Sequence, residues 1–267
     1  MFISILLSLF HIVYSKKHIV ANWKSYLNRG EATALALSLY QTQNIHKNFD
    51  VYDKNIIVLP PTLYYTEISR ILRTTTINVG AQLSSSHNNG AYTGETTAQS
   101  LHSTGCRYCL VGHYERKHYF GQMEKEIHQS TLQLLLNDIT PIYCIGETKD
   151  DYVNNNSIYT CLMQIDTLLA FLTQSPGFDH SKLQNILFAY EPIWAIGSGI
   201  VPNKTYNEQV YYSIHSFITH KYGFNPIILY GGSVALHNLH TMKVYNGLLI
   251  GKSSIDSEIF TQICKRF

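Results

Sequence analysis

Several things are scarce in this chain of 267 residues. It has no excess of either charge: 20 Lys and Arg stand against 18 Asp and Glu, charged residues are 14% of the total, and the basic ones are scattered. That removes the electrostatic footprint of a nucleic-acid binder, so an anionic ligand has to be held by local groups. The five cysteines are odd in number and form no framework of a small secreted domain, which points to a reducing, cytoplasmic compartment. Cys106 and Cys109 make a C-x-x-C within a segment that reads as strand, where residues three apart face opposite sides about 10 Å apart and cannot share a metal or a disulfide. Metal-ligand spacing is absent elsewhere too, as is a Gly-rich nucleotide fingerprint, so neither metal nor cofactor is called for. No Ser-, Gly- or charge-rich linker divides the chain.

A long apolar run is also missing. Residues 1–14 are nearly all apolar and are followed by Ser15-Lys16-Lys17, but the run falls short of the roughly 20 residues that span a bilayer. It lacks the basic n-region and the small-x-small cleavage site of a signal peptide. Residues 1–17 therefore read first as a short extension or the product of an upstream start, then as a membrane-surface anchor, and last as a secretion signal. Residues 18–267 form the catalytic domain in this reading, and no membrane association is expected of it.

What is present is a soluble globular composition, 45% hydrophobic, with a regular alternation. Short β-rich apolar runs occupy 18–23, 55–59, 77–82, 108–111, 142–145, 185–189, 227–230 and 248–250. Helical patterns fall between them at 31–44, 62–73, 96–103, 123–137, 157–172, 203–222, 234–243 and 256–266, with Asn203 and Asp256 in N-cap position. Eight strand-helix units in one undivided chain predict the α/β class and a single-domain (β/α)8 barrel with eight parallel strands inside a ring of helices. A doubly wound open sheet is the competing arrangement. It usually has a Gly-rich turn after its first strand, where this chain has Asn22-Trp23-Lys24.

In such a barrel the active site lies at the C-terminal ends of the strands. The residues found there are Asn22 and Lys24, Pro60-Pro61, Gln82, His113, Gly146-Glu147, Glu191, Gly231-Gly232-Ser233 and Gly251-Lys252. Glu191 follows the sixth run and is itself followed by Pro192-Ile193-Trp194-Ala195-Ile196-Gly197-Ser198-Gly199, an apolar tip between a rigid proline and permissive glycines. A loop of that make-up can close over a small substrate and exclude water, although taken alone it also reads as an ordinary surface loop. Lys24 can neutralise an anion, and most lysines are merely solvated. His113 can polarise a carbonyl, and a helix starting there disfavours the imidazolium; equally, it is one histidine among 13. The turns at Gly231 and Gly251 can cradle phosphate through backbone N–H groups, or serve geometry alone. A carboxylate base, a neutral electrophile, a cation, a phosphate cradle and a lid together suit proton abstraction beside the carbonyl of a small phosphorylated substrate.

These residues resemble the triosephosphate isomerase family. The likeness extends over about 19–255 and rests on Asn22-Trp23-Lys24, Gly80-Ala81-Gln82, Gly90-Ala91-Tyr92-Thr93-Gly94-Glu95, Gly112-His113, Cys144-Ile145-Gly146-Glu147, the segment 189–199 and the turn 230–234, all in order and spacing. The resemblance implies a cofactor-free enzyme of glycolysis and gluconeogenesis that interconverts dihydroxyacetone phosphate and D-glyceraldehyde 3-phosphate through an enediolate. By it, Glu191 is the base, His113 the neutral electrophile, Lys24 the electrostatic clamp and Asn22 a substrate-positioning partner. Phosphate rests on Gly197, Ser233, Gly251 and Lys252. Segment 82–95 is the loop that reaches into a neighbouring subunit of a homodimer, carrying Thr93 toward its site. Glu115 and Arg116 resemble the ion pair that supports the rim.

The chain departs from the family pattern at three points. Tyr114 stands where a Ser usually follows the His and helps hold the resting base, which implies reduced turnover. Lys252 replaces a glycine of the last phosphate turn, which is tolerable if its φ is ordinary. Ser25-Tyr26 replace the usual Met-Asn near the subunit contact. Two other readings remain at this level: a different phosphosugar isomerase on the same barrel, and a barrel kept as a non-enzymatic binding or surface protein.

Overall fold

The chain opens its regular structure with a strand whose alternate side chains go to two different cores. In the computed structural model, which describes residues 16–45 and 54–267, β1 (Lys17–Asn22) buries Ile19 and Ala21 on one face and Val20 on the other. Strand side chains alternate with period two, and a strand buried on both faces reads as a continuous apolar run. The same division recurs in β2 (Lys54–Leu59), where Ile57 and Leu59 join Val20 while Ile56 and Val58 join Ile19. The remaining strands are β3 (Asn78–Val79), β4 (Tyr108–Val111), β5 (Thr140–Ile145), β6 (Leu187–Tyr190), β7 (Ile227–Tyr230) and β8 (Gly247–Ile250).

Every pairing is parallel, and the order is β3-β2-β1-β8-β7-β6-β5-β4. The ends of that order meet: Ala81 bridges Cys109, with Ala81 N–H donating to Tyr108 O and Leu110 N–H to Ala81 O, each at 2.9 Å. The sheet closes into a single (β/α)8 barrel. Its interior is filled by Val20, Ile57, Leu59, Leu110, Ile142, Cys144, Leu187, Ala189, Leu229 and Leu249, a packed plug rather than a pore. The larger apolar core lies outside the strands, against the helices.

Those helices are α1 (Arg29–Ile45), α2 (Tyr65–Leu72), α3 (Ala98–Ser103), α4 (Tyr114–Phe120), α5 (Glu124–Leu136), α6 (Lys149–Val153), α7 (Ser157–Gln174), α8 (Lys204–Tyr222) and α9 (Ser257–Arg266). Asn203 and Asp256 cap α8 and α9, their side chains accepting from Tyr206 N and from Glu258 and Ile259 N. Three expectations need correction. The helix expected at 234–243 is a loop with one 3-10 turn, Leu239–Met242, because the Asn238 side chain accepts from Ala235 N and donates to Ser233 O, giving the backbone a local alternative to helix. The third strand is two residues long rather than the whole of 77–82. Helix α4 continues the helical start expected at His113, which caps it, whereas α6 was not anticipated and is started by a Thr148–Asp151 capping box. β1 starts at Lys17, one residue earlier than the sequence boundary. The readings for 1–14 lie outside the described residues. No helix among the described residues is long and apolar enough to cross a membrane.

Candidate active site

The first rim position is set by an unusual backbone. Lys24 has φ +48, a left-handed conformation uncommon for a lysine, which lacks the short polar side chain of Asp138 and Asn155, the other non-glycine residues in that region among the described residues. Asn22, buried at the end of β1, holds this turn by accepting Lys24 N–H at 3.1 Å, and Gln82 donates to Lys24 O at 2.8 Å and Leu59 O at 2.9 Å. The Lys24 ammonium is thereby aimed across the barrel, where it meets Glu115 Oε1 at 2.5 Å. Glu115 is paired with Lys24, and the expected Glu115–Arg116 pair is replaced: neighbouring residues on α4 point different ways, and the Arg116 guanidinium lies over the Phe120 ring, 4.4 Å from its centre.

His113 follows β4 and caps α4. Its Nδ1 accepts Glu115 N–H at 3.2 Å, so in the neutral ring the proton belongs on Nε2. That Nε2 lies 3.2 Å from Glu191 Oε1. Glu191 is 2% exposed, and its other oxygen accepts the backbone N–H of Tyr114 at 3.4 Å. The base candidate thus rests on a backbone donor at the start of α4, while the Tyr114 ring turns away and stacks on His118 with centroids 5.0 Å apart. The approach of Glu191 to its neighbours needs two glycines. A Cβ at Gly146 would lie 1.8 Å from Glu191 O, and one at Gly231 would lie 2.8 Å from Glu191 Cγ.

Behind Glu191 comes the segment read as a lid. A 3-10 turn, Ile193–Ala195, leads into Gly197 and Gly199, both at positive φ. Ser233 Oγ donates to Ala195 O at 2.6 Å, joining the tip of this segment to the turn after β7. Gly251 and Lys252 follow β8; Lys252 begins a 3-10 turn and is not among the positive-φ residues, so its side chain brings no backbone strain. Gly251 leaves room for the Lys24 stem, whose Cε would be 3.4 Å from an added Cβ.

Asn22, Lys24, His113, Glu191, Gly197, Ser233, Gly251 and Lys252 all line one cavity of about 480 Å3. Sequence reasoning named these eight. It placed Glu147 on the rim without seeing what it does there. This carboxylate is fully buried, and its Oε1 accepts from Trp194 Nε1 (2.7 Å), Tyr190 OH (3.0 Å) and Tyr206 OH (3.1 Å). Burial raises its pKa, against the pull of those three donors. A carboxylate one residue past a strand-ending Gly was the available signal; the donors come from distant segments that only the fold brings together.

A closed parallel barrel with a buried carboxylate, an oriented imidazole and an ammonium around one polar cavity at its C-terminal rim defines a (β/α)8-barrel enzyme. Comparison with known proteins narrows this. Residues 17–267 match the triosephosphate isomerase family. Proteins named triosephosphate isomerase are similar over most of their length: one from Thermoanaerobacter sp. (strain X514) is 30% identical over 92% of this chain and 97% of its own. Those from Endomicrobium trichonymphae and Methylococcus capsulatus are each 32% identical, over 94% and 92% of this chain and 98% and 96% of their own. The chain belongs to the triosephosphate isomerase family and is an isomerase.

Proposed function

We propose that Glu191, His113 and Lys24 carry out the reaction of this family, interconversion of dihydroxyacetone phosphate and D-glyceraldehyde 3-phosphate, a step of glycolysis and gluconeogenesis. The observation that carries the assignment is the convergence of all eight site residues on one cavity. Glu191 takes the proton from the substrate carbon beside the carbonyl and returns it to the neighbouring carbon. His113 Nε2–H, oriented by the bond to Nδ1, faces the oxygens where enediolate charge develops. Lys24 offsets the charge of the intermediate and phosphate, and Asn22 positions the substrate between them. Backbone groups of Gly197, Ser233, Gly251 and Lys252 hold the phosphate, and the loop from Ile193 to Gly199 closes to exclude water.

The working unit in this reading is a homodimer in the cytoplasm. A second cavity of about 490 Å3 opens beside the site and is lined by Lys24, Gln82, His113 and Glu115 together with the exposed rings of Tyr26, Tyr119 and Phe120. Its occupant is the projecting part of loop 82–95 of a second copy, in which Tyr92 stacks on His87 and Thr93 and Gly94 are exposed. A coupled assay tests the substrate: turnover of glyceraldehyde 3-phosphate with little turnover of four- and five-carbon phosphosugars is expected, and the reverse preference would sink the assignment.

A further inference from the structure

Trp194 sits at the foot of the lid in an aromatic sleeve that the isomerisation does not itself require. On one side Tyr152, from α6, stacks on the indole with centroids 4.2 Å apart and planes 29° apart. On the other, Tyr206 of α8 meets the same indole edge-on at 6.4 Å and 77°, and meets Tyr152 at 5.5 Å and 75°. Trp194 lies near the start of the lid, at the beginning of its apolar tip, and Tyr206 lies just inside the helix that follows the lid. Both donate to Glu147 Oε1, so the two ends of the lid converge on one buried carboxylate oxygen.

The two tyrosines have different consequences for a moving indole. Tyr152 offers Trp194 only a stacked face, which is lost when the indole shifts. Tyr206 and Tyr190 keep Glu147 hydrogen-bonded when the indole leaves, so the carboxylate is not stranded without partners. We propose that Tyr152 and Tyr206 are positioning residues that set how fast the lid exchanges between its resting place and a place closed over substrate: Tyr152 by resisting departure of Trp194, Tyr206 by making that departure tolerable to Glu147. The proposal rests on the reading of 193–199 as a lid.

The chain contains two tryptophans, and the other, Trp23, is fully buried beside β1. The full-length protein labelled with 5-fluorotryptophan therefore gives two fluorine resonances, and Trp194→Phe assigns the one from the lid. Titration with glycerol 3-phosphate, which carries the phosphate but no carbonyl, should bring the Trp194 resonance into two-site exchange. Tyr152→Ala should speed that exchange by about three- to tenfold, the range of one aromatic pair. Tyr152→Phe, which keeps the stack, should restore the original rate, and Tyr206→Phe should slow it. Opposite signs at the two positions are not expected of residues that only support the fold. Unchanged exchange in Tyr152→Ala, even with a lowered melting temperature, overturns the proposal. A Trp194 resonance that ignores saturating glycerol 3-phosphate in the unaltered protein refutes the lid reading and the proposal with it, while the coupled assay separately reports whether the isomerase assignment stands.

Discussion

The two ends of the barrel both carry polar side chains, yet they use them differently. At the N-terminal end, Asn55 Nδ2 donates to Tyr108 OH at 2.9 Å and lies 3.1 Å from His18 Nδ1, while Asn78 Nδ2 donates to Asn55 Oδ1 at 2.8 Å. These groups come from the starts of β1 to β4 and satisfy one another. At the C-terminal end, Lys24 adopts a left-handed backbone, Glu191 is buried with its oxygens on an imidazole and a long amide bond, and the polar groups border a cavity of about 480 Å3. Polar residues at a strand end therefore do not mark a site by themselves. What separates the working end is that its polar groups border an open cavity, and that a lysine, rather than the Asp138 found before β5, takes the left-handed backbone there.

The strongest way to break this comparison is Glu191→Gln. The amide can still reach Tyr114 N and His113, so the fold should persist, while loss of the base should lower kcat by about a thousandfold. A coupled assay and a thermal melt on the same preparation check both halves; near-normal turnover would remove Glu191 from the base role. The opposite end should respond to acid instead. Burial depresses the His18 pKa from 6.5 to about 4, so the folded state resists a proton that the unfolded chain accepts. Above pH 6.5 both states are neutral and nothing is gained or lost. As pH falls from 6.5 to 4 the unfolded chain binds more protons and the fold should lose roughly 3 kcal/mol from this group. Urea unfolding at a series of pH values should show that loss, and His18→Gln should flatten it without changing turnover by the protein that remains folded. An unaltered acid profile in the variant would show that the network at this end does not bury a neutral imidazole.

Most of the barrel was legible because its strands are buried on both faces and so read as short continuous apolar runs separated by capped helices. The meeting of the eight proposed residues at one cavity was legible for a related reason: parallel strands put every βα turn at the same end, so position in the chain converts to position in space. Elements governed by one side chain were harder. Asn238 dissolves an expected helix through two local bonds, and the caps of α4 and α6 create helices too short to show a period. The partners of Glu147 are separated from it by 43 to 59 residues and could not be paired from spacing.

The smallest effect concerns the residue that follows His113. A Tyr in place of the family's usual Ser implied a base with no hydroxyl to hold it at rest, and so a slower enzyme. The structure provides a holder that does not depend on the side chain, the Tyr114 N–H, but at 3.4 Å the bond is long, and the tyrosine ring is committed to His118. Tyr114→Ser would keep the amide and add a hydroxyl within the same turn, at the cost of an aromatic stack on the surface of α4. One added hydrogen bond to a carboxylate is worth about 1.5–3 kcal/mol, and a part of it expressed in better placement of the base for its swing toward substrate corresponds to roughly a two- to tenfold change in rate. The expected outcome is a higher kcat with KM nearly unchanged, because the turns after β7 and β8, proposed to hold the phosphate, are untouched. An unchanged kcat would mean that the backbone amide alone sets the resting place of Glu191, and that the working end of this barrel tolerates side-chain replacement at a position next to its imidazole.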